Sequence, residues 1–158
     1  VSDTRATSQS VRYRERLRVP WWWWPPGLGL AALIAVEIQM GVPGVPGWLP
    51  YALLLPVAAV VLLWLGRTEV RVVGGPDGTE LWAGAAHLPV EVIARSAEVP
   101  RSAKSAALGR QLDPAAYVVH RAWVGPMVLV VLDDPDDPTP YWLVSCRHPD
   151  RVLGALRG

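Results

Sequence analysis

The sequence predicts an α+β protein: an N-terminal transmembrane helical hairpin followed by a small antiparallel β domain closed by a C-terminal helix. Three observations predict it. Two apolar stretches, Trp21–Met40 and Trp48–Leu65, are joined by an uncharged loop at residues 41–47 of sequence GVPGVPG. From Thr68 onward, short runs rich in Val, Leu, Tyr and Trp alternate with Gly, Pro and Asp clusters, which is the pattern of strands and turns. The chain ends on an amphipathic stretch that begins at Pro149. These features divide the chain into a basic tail at 1–19, a two-helix hairpin at 20–66 and a β domain at 67–158.

The apolar stretches come first. About 20 apolar residues at about 1.5 Å rise each match a hydrocarbon core of roughly 30 Å. Glu37 is the only acidic or basic side chain inside either run. Arg12, Arg14, Arg16 and Arg18 precede the first run, Arg67 and Arg71 follow the second, and the loop between carries no charge. The positive-inside rule then predicts a multi-pass protein of the bacterial inner (plasma) membrane with both termini cytoplasmic. Trp21, Trp22, Trp23 and Trp24 are expected as interfacial anchors at the inner boundary, with Trp48 and Tyr51 at the outer one. Pro25 and Pro26 suit a first helical turn, where a missing N–H costs nothing. Pro25 and Pro50 also shorten the usable helices to roughly 16 or 17 residues, which makes a re-entrant hairpin the competing reading. A secretory signal peptide fits less well, because a second apolar run follows at once and no A-x-A site separates the two.

Within the hairpin, a carboxylate in hydrocarbon is costly, so Glu37 is a candidate intramembrane functional residue, against the plainer reading of a side chain that snorkels near the outer loop. Pro56 frees the carbonyl of Ala52 and is a candidate kink. Gly27, Gly29, Ala31, Ala32 and Ala35 allow close helix–helix approach.

Composition narrows the rest. The formal charge of +1 over 158 residues hides a balance of +3 in residues 1–67 and −2 in 68–158. No strongly basic stripe is present to release counterions from phosphates, which excludes a nucleic-acid partner. Cys146 is the single cysteine, so the chain has no intrachain disulfide and no thiolate zinc site, and a lone thiol fits a reducing compartment. Arg, Ala, Gly, Pro and Val dominate and Lys occurs once, a bias associated with high-GC bacterial coding.

In the β domain, Thr68–Val73 alternates and runs through Gly-Gly-Pro-Asp-Gly-Thr into Glu80–Ala83, a hairpin signal. His87–Ile93 reads as a further strand, with Pro89 confining it to an edge or a strand start. Arg101–Arg110 reads as a short helix or ordered loop. Ala116–Trp123 and Met127–Leu132 are β runs split by a turn at Val124-Gly-Pro126, and Tyr141–Arg147 is a last strand after an acidic, proline-rich loop. Asp150 falls in the positive first turn of the closing helix, and Val152, Leu153 and Leu156 form its core stripe.

Chemistry-bearing motifs are sparse. His87, His120 and His148 lack the i, i+3 or i, i+4 spacing of helical metal ligands. Cys146 beside Arg147 and His148 invites a nucleophile reading, but a small buried residue is the commoner fate of such a cysteine. Asp133, Asp134, Asp136 and Asp137 lack the glycine turn and closing glutamate of a calcium loop. No phosphate-binding glycine loop or nucleophile elbow occurs. Arg95, Arg101, Lys104 and Arg110 form the one basic cluster of this part and are the candidate lipid-headgroup contacts, at about 1 kcal/mol each.

Tyr13-Arg-Glu-Arg-Leu17, Leu88-Pro-Val90, Asp113-Pro-Ala-Ala-Tyr-Val-Val119 and Asp136-Asp-Pro-Thr-Pro-Tyr-Trp-Leu-Val-Ser-Cys-Arg-His-Pro149 carry a resemblance over nearly the whole chain. The chain resembles a family of uncharacterised actinobacterial two-span membrane proteins. Its ending of strand, Ser145-Cys-Arg-His-Pro149 and helix is also similar to bacterial pleckstrin-homology-like domains. In those domains threonine often stands where Cys146 does here. The resemblance implies a fold and a location but no activity. The expectation is therefore a membrane protein, not an enzyme and without a cofactor, whose pleckstrin-homology-like module binds lipid headgroups, a membrane-protein partner or a second copy. The alternative is an accessory subunit of a transport or proton-coupled complex that uses Glu37.

Overall fold

Residues 9–158 are described by a computed structural model. The fold is α+β, in two compact units. One comprises residues 18–68; the other joins residues 9–17 with Glu69–Gly158.

In the larger unit the strands are β1 (Ser10–Arg16), β2 (Glu69–Gly75), β3 (Gly78–Ala83), β4 (Ala86–Pro89), β5 (Ile93–Val99), β6 (Tyr117–Val119), β7 (Met127–Leu132) and β8 (Tyr141–Ser145). They build two four-stranded sheets. Sheet A is an antiparallel meander in the order β1-β2-β3-β4, and sheet B has the order β5-β7-β8-β6. The β2–β3 hairpin closes through Pro76-Asp77, with Gly75 opposite Gly78. Gly78 takes a φ of 120°, which the absence of a Cβ allows.

The inward residues of both sheets share one core. Val70, Val72, Leu81 and Leu88 from sheet A meet Val128, Val130, Trp142 and Val144 from sheet B. The closing helix (Pro149–Arg157) adds Val152, Leu153 and Leu156, the stripe its sequence predicts. On the other face of sheet B, Val99, Met127 and Leu143 form a second small cluster with Ala103, Ala107 and Leu108, from and next to a five-residue helix at Lys104–Leu108.

Three features of this unit differ from the sequence reading. The run His87–Ile93, expected as one strand, breaks after Pro89 into a 3-10 turn at Val90–Val92, so that its start belongs to β4 of sheet A and its end to β5 of sheet B. Residues 10–16, assigned above to a basic tail, are strand β1, paired with β2 from Ser10↔Gly74 to Arg16↔Glu69. Sheet B is mixed rather than antiparallel, because β6 runs parallel to β8. The runs Ala116–Trp123 and Met127–Leu132 are consecutive in sequence, yet β8 lies between β6 and β7. The purely antiparallel domain expected from the sequence is corrected accordingly.

The smaller unit interrupts sheet A between its paired strands β1 and β2. It consists of a helix α1 (Trp24–Gly41), preceded by a single 3-10 turn at Trp21–Trp23, and a helix α2 (Leu49–Leu65). The helices pack through small residues: Ala31 and Ala35 are buried, and a Cβ at Gly27 would lie 3.1 Å from Leu62. Gly29 has open space around it.

The transmembrane hairpin expected here is also corrected. No helix among the described residues is long and apolar enough to cross a membrane. Trp21–Trp23 are spent on the 3-10 turn, and Pro25, Pro26 and Gly27 open α1 with residues of low hydropathy. Glu37 and Gln39 dilute its other end. The 17 residues of α2 reach only about 26 Å. The localisation that depended on two crossings, a multi-pass protein of the bacterial inner membrane with both termini cytoplasmic, falls with the hairpin.

Candidate interaction surface

The strand register brings the most distinctive surface constellation together. Arg14 lies opposite Arg71, Arg71 opposite Trp82, and Trp82 opposite His87, one residue from each strand of sheet A. Their sequence neighbours Val70, Val72, Leu81 and Leu88 are buried, so alternation turns this row away from the core. The Arg71 guanidinium lies 4.6 Å from the Trp82 ring centroid. The His87 ring stacks on Trp82 at 4.7 Å, with 23° between the planes. Trp82 is therefore held between a cation and an imidazole, and its Nε1 donates to Glu80 Oε2 at 3.0 Å. One strand over, Glu69 accepts from both flanking arginines, at 2.8 Å from Arg14 Nε and 3.2 Å from Arg16 Nε. Those two guanidiniums hold the Glu69 carboxyl below its ordinary range, against the opposing effect of burial, which is the largest single influence on it.

A second surface belongs to the helical unit. Leu30, Leu33, Ile34, Leu53, Val57 and Leu63 are exposed. Of the expected anchors, Trp21 is 79% exposed, Trp22 54% and Trp48 68%, while Trp23 and Trp24 are half-buried. Trp64, not singled out from sequence, is 67% exposed at the end of α2. Glu37 is exposed on α1.

The four residues of the basic cluster read from the sequence take different surroundings. Lys104 donates its ammonium to the carbonyls of Arg121, at 3.1 Å, and Val124, which commits it to the chain. Burial, and then the charge of Arg101, lower its pKa. Arg101 packs its side chain over Gly125, and Arg110 is exposed after the short helix. Arg95 sits on β5 at the mouth of an apolar groove of about 450 Å³ on the outer side of sheet B, floored by Leu129, Val131 and Leu143.

The remaining candidates are placed apart or buried. His87 lies on β4, His120 follows β6, and His148 precedes the closing helix. Among the described residues no three His, Cys, Asp or Glu side chains are grouped to hold a metal ion. Asp134 and Asp137 turn their carboxylates onto the backbone N–H groups of Asp136 and Thr139, both at 2.9 Å, which closes the acidic loop on itself. The Cys146 thiol is fully buried, and burial, then the charges of Glu15, Glu98 and Asp150, push it up to about 12. A thiol so raised has almost no thiolate near neutrality.

Fold and surfaces define a small two-sheet α+β protein that carries an apolar helical insertion and an arginine–tryptophan face. The chain belongs to the DUF3093 family, a family of proteins of unknown function, which matches residues 12–156. No curated protein and no solved structure matches the chain.

Proposed function

We propose that this is a lipid-associated interaction protein. Its helical insertion dips into one face of a bilayer without crossing it, and its two-sheet domain is held at the headgroup layer as a module for a partner. The observation that carries this reading is the exposure of Leu30, Leu33, Ile34, Leu53, Val57 and Leu63 on the two helices. A helix that is apolar all round belongs in an apolar phase, and an exposed patch of that kind marks an interaction site.

Charge and connectivity support lipid as that phase. In the sequence, Arg14, Arg16 and Arg18 precede the two helices and Arg67 and Arg71 follow them, basic residues of the kind anionic headgroups attract. Exposed Trp21 and Trp22 before the first helix and Trp64 at the end of the second stand at the end of the insertion away from its tip, where an indole suits an interface. At the tip, Pro43 and Pro46 bring no N–H, and the N–H groups of Val42 and Leu49 bond to Ile38 and Pro46 carbonyls, so fewer backbone donors need water.

Flotation of the full chain with phosphatidylcholine vesicles containing phosphatidylglycerol tests the reading. The wild type floats; Leu33→Asp with Val57→Asp stays at the bottom of the gradient. Recovery of the wild type free of lipid, as an oligomer that buries these side chains, would transfer the apolar surface to a second copy.

A further inference from the structure

We propose that the outer face of sheet A binds the phosphate of an anionic phospholipid headgroup through Arg71 and Arg14, with Trp82 as the shelf that holds Arg71. The inference rests on the lipid association proposed above and gives it a site.

The acids on this face are already committed. Glu69 serves Arg14 and Arg16, and Glu80 takes the Trp82 indole N–H. Arg71 forms no ion pair among the described residues; its guanidinium lies on the Trp82 ring at 4.6 Å. A guanidinium stacked in this way has one face covered and its N–H edge free, the arrangement that takes two oxygens of one phosphate. His87 packs on the indole at 4.7 Å and braces the shelf, so little side-chain freedom is left to lose on binding.

Register adds a second reason. Arg14 and Arg71 are direct cross-strand neighbours, and like charges placed opposite each other are unfavourable. Glu69 offsets only part of this, since it is shared with Arg16; an anion between the two arginines offsets the rest. Connectivity identifies the anion. Arg71 is three residues beyond Thr68, where the helical unit ends, and three residues of extended chain span at most about 11 Å. With the insertion immersed in lipid, the anions within that reach are headgroups.

Full-length protein is floated with vesicles of phosphatidylcholine alone and with phosphatidylglycerol added, and the ratio of bound protein is measured. Wild type favours the anionic vesicles. Arg71→Gln lowers the ratio about fivefold, the effect of one basic contact. Arg71→Lys, which keeps the charge and loses the planar fork, also lowers it, as does Trp82→Leu with all charges kept. Arg95→Gln with Arg101→Gln leaves it unchanged. Arg71→Lys and Trp82→Leu both at the wild-type ratio would overturn the site, as would loss of preference in the Arg95 and Arg101 variant. Equal flotation of wild type on both vesicles overturns this inference and leaves lipid association standing; flotation on neither overturns both.

Discussion

The carboxylate of Glu15 accepts the backbone N–H of Arg147 with both oxygens, at 3.0 and 3.1 Å, across 132 residues of chain. Tyr13 donates its hydroxyl to the same carboxylate at 2.9 Å, and Arg147 returns a guanidinium N–H to the carbonyl of Arg16 at 3.4 Å. The acceptor stands on β1, the edge strand of sheet A, and the donor lies between β8 and the closing helix. One buried anion therefore ties the first strand to the last element. The Trp123 indole N–H bonds the carbonyl of Leu17, the residue that follows this strand, at 3.1 Å.

Removing that anion should be felt globally. Glu15→Ala leaves the Arg147 N–H without its acceptor in a site only 9% exposed, so a loss of about 1–3 kcal/mol is expected. Tyr13→Phe removes one bond and leaves the carboxylate in place, so about 1 kcal/mol or less is expected. Urea unfolding of both variants checks the order. A Glu15→Ala variant as stable as wild type would mean that β1 is held by sheet pairing alone.

Cys146 predicts an alkaline limit to stability. Its thiol is raised from 9.0 to about 12 in the folded chain, so the folded state keeps a proton that the unfolded state gives up. The stabilisation is complete below pH 9 and is lost as pH rises towards 12, at up to about 1.4 kcal/mol per unit for one proton. Cys146→Ala should lessen that slope, most clearly between pH 9 and 10; above pH 10 Tyr13, whose hydroxyl is also raised by burial and by Glu15, keeps part of it. Native protein should also resist a thiol reagent at neutral pH and react after unfolding.

The arginine spacing shows what was legible and what was not. Arg12, Arg14, Arg16 and Arg18 recur every second residue, the period of a strand with one wet face, and Val11, Tyr13, Glu15 and Leu17 fill the alternate positions. Read as charge ahead of an apolar run, the same residues suggested a tail. Their partner strand lies more than fifty residues away, beyond the reach of local pattern. The β2–β3 hairpin and the core stripe of the closing helix were legible because turn chemistry and period are local. The pairing of β6 with β8 was not, since parallel neighbours are chosen by tertiary packing. Trp82 and His87 each looked ordinary in sequence; only register makes them a stack. The apolar stretches were recognised as helices, while their usable lengths were set by prolines and by where the helices begin.

Gly27 and Gly29 are two residues apart on α1 and should respond oppositely. A Cβ at Gly27 would meet Leu62 at 3.1 Å, so Gly27→Leu forces the two helices apart. At Gly29 nothing lies within 4 Å, so Gly29→Ala gains helix propensity of about 0.5–1 kcal/mol. Thermal melting followed by helical circular dichroism in lipid vesicles should fall for the first variant and hold or rise for the second.

Lys104 holds its loop through hydrogen bonds and carries a partly buried charge. Its side chain donates to the carbonyls of Arg121 and Val124, bracing the loop that precedes β7. Lys104→Met keeps the stem and removes the donor, so two carbonyls lose a partner and about 1–3 kcal/mol is lost at neutral pH. The ammonium itself carries a burial cost, since its pKa is lowered from 10.5 by desolvation first and by Arg101 second. Because the folded state binds this proton less tightly than the unfolded state, the cost is fully present below the lowered value and is relieved as pH rises towards 10.5. A neutral amine still has two N–H groups, one for each carbonyl. The stability gap between wild type and Lys104→Met should therefore widen from pH 7 to pH 10, because the Cys146 effect is common to both proteins. A gap that narrows over that range would show that the positive charge, rather than the pair of hydrogen bonds, holds the loop.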